Sequence, residues 1–69
     1  MSKAFALIEA ITQDIIKYLI NDKKVDIDVA MDIFYNSNLY DKLYDEETGL
    51  YLEGSAYVYE FLKDELASI

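Results

Sequence analysis

Hydroxyls, carboxylates and six lysine amines are the only side chains here that could make or break bonds near neutral pH, because His and Cys are both absent. The candidate nucleophiles are Ser2, Ser37, Ser55, Ser68, Thr12 and Thr48. A hydroxyl attacks only when a neighbouring base takes its proton. Without an imidazole, lysine is the remaining base for that role. Ser37 and Ser55 stand where helices are expected to begin, so they read as caps. Fourteen Asp and Glu residues offer many carboxylate pairs. Acid–base work needs one member buried, with its pKa moved toward neutrality. Sequence periodicity puts nearly every carboxylate on a solvent face or in a polar loop. No catalytic or cofactor-binding residue is assigned, and the chain reads as a non-enzyme.

Metal and phosphate sites fare no better. An EF-hand loop needs oxygen ligands at positions one, three and five, Gly at six and Glu at twelve. Counted from Asp41, position three is Leu43, six is Glu46 and twelve is Leu52. Counted from Asp45, position five is Gly49 and seven is Tyr51. Neither register holds calcium. Asp26, Asp28 and Asp32 are explained by the electrostatics of a helix start. A phosphate loop needs several glycines, and Gly49 and Gly54 are the only two. A helix-turn-helix reading makes Asn38 to Tyr44 the recognition helix, but that segment is acidic and the chain has no Arg. DNA binding exchanges counterions for cationic side chains. A formal charge of −8 works against it, so no nucleic-acid partner is expected.

Seven tyrosines and no tryptophan make up the distinctive aromatic content. Tyrosine joins a flat apolar body to a polar tip and is enriched at protein interfaces. Tyr40, Tyr44, Tyr51, Tyr57 and Tyr59 cluster in the second half, interleaved with Asp41, Asp45, Glu46, Glu47 and Glu53. The expected interface residues are Tyr40, Asp41, Tyr44, Asp45, Glu46, Glu47, Tyr51 and Tyr57. An acidic surface carrying aromatics suits a basic, partly apolar protein. The alternative use of these tyrosines is to fill the edges of the core, with their hydroxyls at the surface.

These residues must be positioned by helices. Ala4, Ile8, Ile11, Ile15 and Leu19 recur at the spacing of one helical face and predict a helix from Lys3 to Ile20, with Ser2 as its cap. Phe5, Leu7, Ile16 and Tyr18 widen the stripe, so this helix should be central, with Glu9 and Asp14 opposite. Asp26 is a good N-cap for a second helix from Ile27 to Asn36, burying Ile27, Ala30, Ile33 and Phe34. A short third helix should run from Asn38 to Tyr44 and a last one from Ser55 to Ala67. Gly49 suits a left-handed turn. Residues 49 to 54 are read as turn or helix, since a lone strand would have no partner. The expected core is Phe5, Ile8, Ile11, Ile15, Leu19, Ala30, Ile33, Phe34, Leu39, Leu43, Leu50, Val58, Phe61 and Leu62. The fold class is all-α: a single helical domain over residues 1–69, built as a three- to four-helix bundle.

A chain of 69 residues buries about 60% of its unfolded surface and is only marginally stable. Disulfides and thiolate or imidazole metal sites are closed to it, which leaves close packing or association. A homodimer seam is therefore an alternative use of the tyrosines. A small-molecule or peptide sensor is a third, though the chain is short for an enclosed pocket. Glu9 and Lys3 interrupt any leader-like apolar run, and no stretch approaches the ~18 apolar residues of a membrane span. The reading is a cytoplasmic protein without a membrane partner.

The stretch DEETGLYLEGSAYVYEFLKDE from Asp45 to Glu65, preceded by AMDIFYNS from Ala30 to Ser37, resembles a group of short uncharacterised proteins of Gram-positive bacteria. Related short helical families are often encoded beside predicted toxins. The resemblance spans Ile8 to Glu65 and brings no assigned chemistry or functional residue with it. It implies a small cytoplasmic partner protein of antitoxin type. The expected function is a non-enzymatic protein-interaction module.

Overall fold

The computed structural model describes residues 3–68. Among them the chain forms four α-helices, α1 (Lys3–Lys23), α2 (Ile27–Tyr35), α3 (Asn38–Tyr44) and α4 (Ser55–Ala67), and two single-turn 3₁₀ helices, Glu46–Thr48 and Leu50–Leu52. The architecture is a small all-α bundle. At 1.5 Å per residue, α1 is about 31 Å long, close to the 33 Å long axis of the whole domain. It packs against α2, α3, α4 and the second 3₁₀ turn, the central position its wide apolar stripe requires. Its cap at Ser2 lies outside the described residues.

Most boundaries follow from local chemistry. Asp26 Oδ1 accepts from the Val29 amide at 3.0 Å and starts α2. Ser37 Oγ accepts from the Tyr40 amide at 3.1 Å and starts α3. Gly49 has φ +68°, where the left-handed backbone joining the two 3₁₀ turns costs glycine least. Two ends and one cap differ from expectation: α2 stops at Tyr35, with Asn36 as its C-cap. Helix α1 runs three residues past Ile20, because Asn21, Asp22 and Lys23 are all tolerated in a last turn. It stops at Lys24, which takes a left-handed φ of 56°. The N-cap of α4 is Gly54, which has no side chain to give. Ser55 is the first residue of that helix, and its hydroxyl is directed to α1 instead.

The core is one cluster drawn from all four helices: Ile8, Ile11, Ile15, Leu19, Ala30, Phe34, Leu39, Leu43, Val58, Tyr59 and Leu62. Four expected core residues depart from it. Ile33 and Leu50 are only partly buried and pack on its edge. Phe5 and Phe61 are exposed. Ile27, expected on the buried face of α2, is its first residue and is 57% exposed. The buried arc of α2 narrows to Ala30 and Phe34. A bundle this small has too little interior for every apolar flank.

Candidate functional site

Three carboxylates of α1 each accept a hydroxyl from another element. Tyr44 Oη of α3 donates to Glu9 Oε2 at 2.6 Å. Ser55 Oγ of α4 donates to Asp14 Oδ2 at 2.7 Å. Tyr59 Oη of α4 donates to Asp22 Oδ2 at 2.8 Å. Bonds of this kind, with an ionised acceptor, are short and roughly twice as strong as neutral ones. Glu9 and Asp14 are thus partly buried, where a solvent face had been expected. Amphipathic spacing could not reveal this, because the hydroxyls that shelter them come from residues far along the chain. The order of contacts, Asp14 to Ser55 and then Asp22 to Tyr59, sets α4 parallel to the second half of α1.

The two phenols so held resist ionisation. Burial pushes the Tyr44 hydroxyl up to about 12, and the Glu9 carboxylate adds to the effect. Tyr59 is likewise pushed up to about 12, first by burial and then by Asp22. A group whose pKa rises on folding stabilises the folded state fully below its unfolded value, about 10 for Tyr, and that contribution disappears as pH climbs to the folded value. Melting temperature should therefore fall between pH 10 and 12. The Y44F/Y59F double variant should show a shallower fall over the same window, read by circular dichroism. Identical slopes would mean that the two phenols titrate alike in folded and unfolded chains.

The eight expected interface residues divide by use. Tyr40 is partly buried, its ring edge-on to Phe34 at 5.6 Å and 4.6 Å from Tyr44. Tyr44 is held by Glu9, and Tyr51 packs on the core edge. These three serve packing as well as surface. Asp41, Asp45, Glu46 and Glu47 are exposed on α3 and the first 3₁₀ turn, with Asp45 Oδ1 accepting the Glu47 amide at 3.0 Å. Tyr57 is 54% exposed and pairs edge-on with Phe61 at 5.2 Å. Phe61 is an expected core residue. Its 42% exposure makes it the missed member of the surface, and its apolar character beside the stripe of α4 gave no sign of that exposure.

Two open grooves flank α4. One, of about 260 Å³, lies against α3 and is lined by Leu39, Lys42, Phe61, Asp64 and Glu65 among others. The second, of about 320 Å³, lies against α1 and includes Tyr18, Asp22, Tyr59, Glu60 and Lys63. Each of the five described Ser and Thr hydroxyls donates to a protein acceptor. They cap helices, bond back along the chain or tie α4 to α1. Among the described residues no group of three carboxylates could hold a metal ion, and no helix is long and apolar enough to cross a membrane. The chain finds no match among protein-family models, curated proteins or solved structures.

Proposed function

We propose that this chain is a non-enzymatic binding module that docks a basic protein segment on the outer surface of α4. The carrying observation is the exposed Tyr57–Phe61 ring pair on a helix that also bears exposed Glu60 and Asp64. Aromatic side chains anchor interfaces when a partner removes them from water. The chain's net charge of −8 draws basic partners and raises their association rate. Asp41, Asp45, Glu46 and Glu47 extend the acidic field along α3 and the following turn. The partner's matching surface is basic at its rim and apolar at its centre. Neutralising a basic toxin is one form of this activity, so the product of the adjacent gene is the first partner to titrate.

Calorimetry tests the surface directly. The Y57S/F61S double variant should keep its helical spectrum, because neither ring lies in the core. Its affinity for a basic partner should fall about 30-fold or more, the scale of one interfacial hot spot, and wild-type binding should weaken with salt. Unchanged affinity in the variant would remove α4 as the docking surface. A second copy is the competing occupant, although two copies each carrying −8 repel. A concentration-dependent dimer lost in Y57S/F61S, seen by sedimentation, would replace the basic partner with self-association.

A further inference from the structure

The groove between α1 and α4 holds a different kind of chemistry from the Tyr57–Phe61 surface. Tyr18 of α1 and Tyr59 of α4 meet there with ring centroids 5.1 Å apart and planes inclined at 49°. Asp22 and Glu60 stand in the same groove. Tyr59 Oη donates a hydrogen bond to Asp22 Oδ2 at 2.8 Å, which fixes the ring and orients the carboxylate. A carboxylate has about four acceptor positions, and the phenol takes one of them. A cation already lies in the arrangement. Lys63 Nζ sits 5.7 Å from the Tyr59 ring centroid and 2.7 Å from Glu60 Oε2. A cation within about 6 Å of a ring face is attracted by the ring's quadrupole. Lys63 is a surface side chain, its own part 46% exposed. Ion pairs of that kind contribute little to stability, so the lysine can leave without disturbing the fold.

We infer that this groove is a binding site for a guanidinium group, an arginine of the basic partner, with Lys63 as the internal stand-in that such an arginine displaces. Guanidinium suits it better than ammonium. Its planar face stacks on an aromatic ring while its edge bonds a carboxylate through two parallel donors. Tyr18 supplies a half-buried ring, Tyr59, otherwise buried in the core, supplies the face over which Lys63 now lies, and Asp22 and Glu60 supply the acceptors. The inference rests on the proposed binding of a basic protein and names the side chain that such a protein inserts beside α4.

The test uses the whole chain and a single-residue probe, so it needs no identified partner. N-acetyl-arginine amide is titrated against isotope-labelled protein while ring resonances are followed by NMR, with N-acetyl-citrulline amide as the neutral isostere. The arginine probe should move the Tyr18 and Tyr59 signals saturably, and the citrulline probe should not. Lys63→Ala removes the competing cation from an exposed position and should tighten arginine binding about threefold. The site is overturned if the arginine probe leaves both rings unmoved in wild type and Lys63→Ala, or if citrulline moves them equally. A basic partner that still binds through Tyr57 and Phe61 after such a failure would leave the docking surface standing without this site. Saturable arginine binding in a chain that binds no basic protein would uphold the site and remove the broader reading.

Discussion

Phe34→Ala is expected to leave much of the chain unfolded at room temperature. Phe34 is fully buried, and its ring meets Tyr35 at 5.2 Å and Tyr40 at 5.6 Å. It links α2 to the start of α3, so its removal opens a void where two helices join. Truncating a buried Phe to Ala costs about 3–5 kcal/mol. A single core below about 70–80 residues supplies roughly 3–5 kcal/mol, so one substitution is comparable with the whole stability. Urea titration followed by circular dichroism measures the loss directly. Ile27→Ala is the control, because an exposed side chain on the same helix should change stability by no more than about 0.5 kcal/mol. A Phe34→Ala midpoint close to wild type would show that α2 is not held by this ring.

Glu65→Ala should produce the second large effect, from a residue that lies outside the core. Its two carboxylate oxygens accept the amides of Asn38 at 2.8 Å and Leu39 at 3.0 Å. These are the first two amides of α3, which have no partner within the helix. Ser37 Oγ takes the amide of Tyr40, and the Ser37 amide donates to the Phe34 carbonyl at 3.1 Å. The start of α3 is thus fully paired, half of it by a side chain from α4. Seven residues are too few for a stable isolated helix, so α3 depends on such anchors. Hydrogen bonds to a charged group contribute about 1.5–3 kcal/mol, and partial exposure keeps the pair near 2 kcal/mol in total. For a domain of this size that lowers the melting temperature by about 8–16 °C. Amide exchange should rise first at Asn38 and Leu39. Gln at this position keeps one acceptor and should recover part of the loss. An unchanged melting temperature in Glu65→Ala would mean that Ser37 alone suffices to begin α3.

Both residues show where reading the chain works and where it stops. Phe34 was legible as core because its spacing from Ala30, together with the cap at Asp26, fixes the inward side of α2. Glu65 was not legible as a cap, since nothing local to α4 indicates that another helix begins beside it. The same division runs through the candidate site. The acidic character of α3 and the following turn, and the exposure of Tyr57, follow from composition and from a position off the apolar stripe of α4. The exposure of Phe61, the shelter given to Glu9 and Asp14, and the meeting of Tyr18 with Tyr59 do not.

By itself the sequence determined an all-α chain, the place of its four helices, the caps at Asp26 and Ser37, the left-handed turn at Gly49 and the strongly acidic surface. Each of these depends on residues within one or two turns of one another, or on composition alone. Only the tertiary structure decided which apolar flanks stay in water, which carboxylates meet hydroxyls, and that α4 carries a groove on either side. Those outcomes depend on how helices distant in the chain are set side by side. Periodicity gives the direction of a buried face within one helix, and the identity of its neighbour comes only from packing all of them around a core too small to cover every ring.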